Sequence, residues 1–194
     1  MITLDPKWIR VSSILSMIPS LDSNGKWTYP MQKIDYSILE RKADLGTAVH
    51  EAIAAHINGD FCPVSERERG YLDSYLKWEK TILAKSVHSE QRLYHEALRL
   101  TGCIDMIAKL GNSDKLYLID FKCTVAEDPV KWPLQAAFYQ FLAKASGIDL
   151  EPTAYFVRLE KDGGHPDVYE YEITKELTAA AFSFYNAYIF LTRK

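Results

Sequence analysis

Two apolar runs, LTGCIDMIAKL from Leu100 and KLYLIDFK ending at Lys122, are separated only by Gly-Asn-Ser-Asp at 111–114, and each carries an aspartate in its interior. Short runs of this kind on either side of a turn cluster read as a β-hairpin. Charge inside an apolar strand is expensive unless it is paired or bound, so the hairpin constrains both the architecture and the chemistry of the chain. Side chains alternate faces along a strand, which puts Asp120 and Lys122 on one face with Leu116 and Leu118. A loop of two or four residues centred between Asn112 and Ser113 sets Asp105 directly opposite Asp120; a loop of odd length turns that opposition into a diagonal. Opposed residues have Cβ atoms about 4.5–5.5 Å apart, and like charges there repel. Two half-buried carboxylates so placed either share a proton or recruit positive charge. Lys122 offers one such charge, and a divalent cation with oxygen ligands offers a stronger one. For Asp-x-Lys taken alone, a salt bridge on a sheet face is the competing reading.

The flanking sequence supplies helices. SILERKADLGTAVHEAIAAHING, 37–59, spaces Leu45, Val49, Ala52, Ile53 and Ile57 at helical intervals and closes on a glycine. A second helical pattern runs over 65–86, opening with Ser65 and Glu68 at the spacing of a capping box. From Val87 to Lys122 the period becomes that of strands. A helix over 127–147 follows, with Pro129 and Pro133 tolerable only near its start, then strands at 153–161 and 168–173 around Gly163 and Gly164, then a terminal helix from about Lys175.

With 194 residues, 47% hydrophobic and 25% charged, the chain reads as one globular domain over 1–194, without repeats or a dividing linker. A net charge of −3 excludes a uniformly basic surface, so a polyanion must be met by local patches or a bound cation. Three scattered cysteines, Cys62, Cys103 and Cys123, provide neither a disulfide framework nor a Cys-x-x-Cys zinc pair. No window reaches the roughly 18 apolar residues of a membrane span, and we expect a soluble cytoplasmic protein, or a phage or viral one working inside a host cell.

Five short elements in order then resemble the PD-(D/E)XK nuclease superfamily in its RecB-like exonuclease branch, over about Leu45 to Tyr139. GTAVH at 46–50 is similar to Gly-x-x-x-His, Glu90 opens EQRL at an acidic position on a first strand, GCID at 102–105 is similar to Gly-x-x-Asp, DFK at 120–122 to Asp-x-Lys, and QAAFY at 135–139 to Gln-x-x-x-Tyr. The resemblance implies an α/β, restriction-endonuclease-like three-layer fold with a central mixed sheet flanked by helices. It also implies a metal-dependent deoxyribonuclease, an exonuclease by branch with endonuclease action left open, leaving 5′-phosphate and 3′-hydroxyl ends in DNA recombination, repair or processing. The implied ligands of the ion are His50, Asp105, Asp120 and the Phe121 carbonyl, with Asp105, Asp120, Lys122 and Glu90 as the catalytic set. Glu96 competes with Glu90 for the acidic position. Mg2+ is the expected ion and Mn2+ its substitute; an iron–sulfur cluster is not expected, because four cluster cysteines cannot be found among three.

Gln135 and Tyr139 lie four apart on one helix face, where they either hold a DNA phosphate, brace the lysine, or form the polar tips of a partly buried helix. DNA is the expected partner, with a homo-oligomer or a recombination protein as further partners. Phosphate contacts are expected from among Arg41, Lys42, Arg67, Arg69, Lys77, Lys80, Lys85, Lys131, Arg158 and Lys161, and base stacking from Trp27 or Trp132, with Trp78 a core residue by its spacing. The alternative is a nuclease-fold module that binds DNA or serves as structure without cutting.

Overall fold

The computed structural model describes residues 8–21, 25–28 and 36–192, without the side chains of residues 36–40 and Lys42, which therefore stands outside the expectations tested below. The elements run β1 (Ile9–Arg10), α1 (Val11–Leu15), β2 (Ser20–Leu21), β3 (Trp27–Thr28), α2 (Tyr36–Asn58), α3 (Glu66–Ile82), β4 (Lys85–His95), β5 (Leu100–Lys109), β6 (Leu116–Lys122), α4 (Lys131–Ala145), β7 (Leu150–Arg158), β8 (Asp167–Glu172) and α5 (Lys175–Thr192). Strand β5 is central. One edge pairs antiparallel with β4, while the other takes β1 in parallel at its start and β6 antiparallel at its end. The sheet continues through β7, parallel to β6, to β8, antiparallel to β7. It is the mixed sheet expected.

Helices cover both faces. Val11, Ile14 and Leu15 of α1, Trp132 to Ala143 of α4, and Ala181 and Tyr185 of α5 bury one face of the sheet. Val49 and Ile53 of α2 with Tyr75 and Trp78 of α3 bury the other, against Met106, Ile119, Phe121 and Val157. Three layers result. Ser65 opens α3 with its side chain accepting the Arg67 N–H at 3.3 Å, while Glu68 accepts the Ser65 N–H at 2.7 Å, so both halves of the capping box form. The helix stops at Ile82, earlier than its pattern suggested, because Leu83 turns left-handed at φ +50° and the chain enters β4 at Lys85.

The β5–β6 loop, residues 110–115, is longer than expected but still of even length and centred on Asn112 and Ser113. The pairs Met106↔Ile119, Ile107↔Leu118 and Ala108↔Tyr117 therefore keep the expected register. One step further along that register Asp105 meets Asp120, where the ladder ends. The Phe121 N–H goes to the Asp105 carboxylate (Oδ2, 2.8 Å) in place of a strand partner. Strict alternation also breaks here: Ile104 and Ile107 both join the α4-side core, whereas Met106 joins the other. Across β4, Glu90 lies between the partners Ser89↔Met106 and Gln91↔Ile104 and takes a left-handed φ of +50°.

Candidate metal centre

The side chains of the centre converge on it from five elements. His50 is carried by α2, Glu90 by β4, Asp105 by β5, Asp120 and Lys122 by β6, and Gln135 and Tyr139 by α4. Ligand atoms of His50, Glu90 and Asp105 all lie within 4.8 Å of one another, the spacing of donors around one ion. His50 Nε2 lies 3.1 Å from the Phe121 carbonyl, which accepts its hydrogen, and this fixes the ring so that Nδ1 faces Asp105 Oδ1 at 3.2 Å and Glu90 Oε1 at 3.8 Å. A metal-binding histidine commonly hands its second N–H to a carbonyl in this way. The Phe121 carbonyl, expected as an oxygen ligand, accepts this hydrogen with one of its two lone pairs. Glu96 lies beyond the end of β4 and pairs with Arg99, which leaves Glu90 as the acid on this side.

Asp120 stands outside the three-residue group, because its carboxylate is turned toward α4. Gln135 Nε2 donates to Oδ1 at 2.8 Å, and Lys122 Nζ approaches Oδ2 to 2.5 Å. Lys122 is itself held by Gln135 Oε1 at 2.9 Å and lies over the Phe156 ring. Gln135 also donates to the Tyr139 hydroxyl at 3.1 Å. Of the roles weighed for Gln-x-x-x-Tyr, the contacts present are those of a brace for Asp120 and Lys122. Gly102 makes the brace possible: a Cβ on it would stand 2.6 Å from Tyr139 Cε1.

The electrostatics are unbalanced. Burial is the largest influence on Asp120, reinforced by the Asp105 charge, and together they push its carboxyl up to about 6 against the pull of Lys122. Burial acts on Asp105 in the same direction, but the adjacent His50, Lys122 and the Phe121 N–H outweigh it and hold this carboxyl below the ordinary range. For His50, burial favours the neutral ring, yet Asp105, Asp120 and Glu90 raise the imidazole to about 9. Burial and the Asp105 charge raise Glu90. An imidazolium and an ammonium thus face three carboxyl groups in a site where Asp120 is 1% exposed. No donor is well directed at the buried Asp120 Oδ2; Lys122 makes a charge contact without hydrogen-bond geometry. Replacing the proton on His50 by a divalent cation would balance these charges, and oxygen-rich donors with one imidazole suit Mg2+ or Mn2+. The residues present fit such an ion.

A cleft of two adjoining recesses borders the Lys122–Gln135–Tyr139 side of the centre, while His50 and Glu90 line a separate recess with Thr47 and Glu51. Ser12, Ser16, Lys122, Lys131 and Gln135 line one recess, which meets at Ser12 and Tyr139 a second recess holding Arg10, Arg92 and Cys103. Arg10, Arg92 and Lys131 have no ion-pair partner among the described residues. Sequence reasoning did not place Arg10, Ser12 and Arg92 beside the centre. The apolar spacing of Val11, Ile14, Leu15 and Ile18 was the available signal, since it marks a helical turn that presents Ser12 and Ser16 together.

Other expectations change. Arg158, counted among possible phosphate contacts, is committed to Glu160 at 2.6 Å, to Asp167 and to the Val125 carbonyl. Lys77 is committed to the Gly163 carbonyl. Trp132 is unavailable for base stacking, since it is buried against Phe156 with parallel rings 5.5 Å apart. Trp78 is in the core as its spacing suggested, and Trp27 remains 47% exposed.

Comparison with known proteins yields one sequence-level match: the profile of the PD-(D/E)XK nuclease superfamily aligns with residues 62–183, well over half the chain. No curated protein matches the sequence. Among solved structures, the alkaline exonuclease LHK-Exo of Laribacter hongkongensis superposes with a TM-score of 0.50 at 11% identity, covering 95% of this chain and 87% of that one. A candidate exonuclease from Eubacterium rectale does so with a TM-score of 0.51 at 11% identity, covering 96% and 84%. At such identity the likeness speaks for the fold.

Proposed function

Because the chain belongs to the PD-(D/E)XK nuclease superfamily, we propose that it is a divalent-metal-dependent deoxyribonuclease, of exonuclease type and RecB-like branch, using Mg2+ with Mn2+ as substitute. We read residues 1–194 as its single nuclease domain, working on DNA in recombination, repair or processing inside a cell. The observation that carries this reading is the convergence of His50, Glu90 and Asp105 within 4.8 Å beside the Asp120–Lys122–Gln135 brace. The exonuclease names of the two structural neighbours support the choice of type.

When bound, the ion supplies Lewis-acid polarisation of a phosphodiester and a lower pKa for water. His50, Glu90 and Asp105 would hold it, with Asp120 beside them as a further carboxylate. Lys122, kept in place by Asp120 and Gln135, orients the attacking water or steadies charge developing on the phosphoryl oxygens. Arg10, Arg92 and Lys131 draw the phosphate backbone into the cleft.

Incubation of labelled linear and closed-circular DNA with Mg2+, Mn2+ or chelator tests the reading. Linear DNA should be degraded and circles spared, with cleavage falling at least about a hundredfold in Lys122→Ala and Asp120→Asn. DNA binding without cleavage under every metal condition would instead identify an inactive module.

A further inference from the structure

Glu90 is an unusual place to find an acid at rest. It holds a left-handed φ of +50°, a conformation strained for a residue with a side chain, and it does so in the middle of a paired strand. Strain of this kind persists where the surroundings over-determine it, and it clusters at working sites. Here the backbone excursion carries the carboxylate across the ladder toward Asp105 and His50. The backbone alone leaves the carboxylate free to swing, because Glu90 is a long side chain and about 40% exposed. Besides the His50 contact, the Cys103 thiol restrains it, donating to Glu90 Oε2 at 3.4 Å and leaving Oε1 as the oxygen facing His50 Nδ1.

We propose that Cys103 is a positioning residue for the metal centre, holding Oε2 of Glu90 so that Oε1 is presented to the ion. This rests on the metal-dependent reading above. Cys103 sits two residues before Asp105 on β5 and pairs across the ladder with Arg92, so one short stretch of β5 supplies both a ligand and the restraint on the ligand opposite. A thiol is a weak donor. Its contribution therefore lies in selecting one carboxylate orientation, and a hydroxyl at the same position can replace it. Partners that orient a ligand typically alter metal affinity by about 10–100-fold, and a thiol belongs at the lower end of that range.

Cys103 also lines the recess with Arg10 and Arg92, so a direct contact with DNA is the competing role. The two roles separate experimentally. Mn2+ affinity, read from the EPR signal of free Mn2+, would be measured on the parent chain, Cys103→Ala, Cys103→Ser, Glu90→Ala and the Glu90→Ala/Cys103→Ala double variant, with the KM for DNA alongside and thermal melts to verify folding. Cys103→Ala should weaken Mn2+ binding roughly tenfold without moving the KM. Serine should restore the affinity, and Cys103→Ala should add no loss once Glu90 is alanine. Unchanged Mn2+ affinity in Cys103→Ala, an equal loss in the Glu90→Ala background, or a shift in KM alone would overturn the proposal while leaving the nuclease reading intact. A parent chain that binds no Mn2+ would remove both.

Discussion

His50 and Asp120 give the metal-free protein a pH dependence that can be worked out from their directions. A histidine raised from 6.5 to about 9 contributes stability that is complete below pH 6.5 and lost as pH climbs through 9. A carboxyl raised from 3.8 to about 6 also favours the folded state while protonated, and that contribution is lost between those two values. In chelator, the thermal midpoint should therefore fall from pH 6.5 to 9, and His50→Gln should flatten the fall. Asp120→Asn removes the buried charge that the folded state resists, so at pH 8 without metal it should melt no lower than the parent, with less difference at pH 5; a clear loss of stability at pH 8 would mean that the Lys122 pair is structural. Gly102→Ala tests the brace. Overpacking against Tyr139 should cost about 1–3 kcal/mol in denaturant melts, and displacing Gln135 behind it should cut cleavage on the order of a hundredfold.

At the scale of elements, α3 is the platform under the centre, since Tyr75 and Trp78 both press edge-on against the Phe121 ring, at 5.2 and 5.5 Å. Its capping box is exposed and remote from the ligands, so Ser65→Ala should lower stability by about 1 kcal/mol and leave Mn2+ affinity unchanged, as paired melts and titrations would show. The capping box and the β5–β6 register were legible in sequence for one reason: each depends on a local spacing. A loop of even length returns the same cross-strand partners whether it is short or long, so Asp105 and Asp120 were brought together despite a misjudged loop. The left-handed turn at Glu90 left no such trace, because the tertiary setting imposes it on a residue with no preference for it. Helix α4 concealed the fate of Trp132 as well, for it is buried on several sides and offers no polar stripe by which to tell inward from outward positions. Helix α1 is only five residues long, too short for its apolar spacing to stand out from a stray patch.

For the molecule as a whole, the centre draws on both helical layers and on the sheet between them. Helix α2 reaches it from one face and α4 from the other, meeting at the point where β5 breaks its alternation and β4 its regular backbone. That convergence brings motifs scattered from Gly46 to Tyr139 to one place, and although the chain carries a net charge of −3, Arg10, Arg92, Lys122 and Lys131 line two adjoining recesses beside it. The most direct test is the anomalous signal of Mn2+ in crystals of the protein. A peak is expected about 2.0–2.5 Å from His50 Nδ1 and from oxygens of Glu90 and Asp105, with Asp120 turned away from Gln135 to join them, and no peak in Asp105→Asn. Manganese bound elsewhere, or a peak that survives Asp105→Asn unchanged, would contradict that expectation.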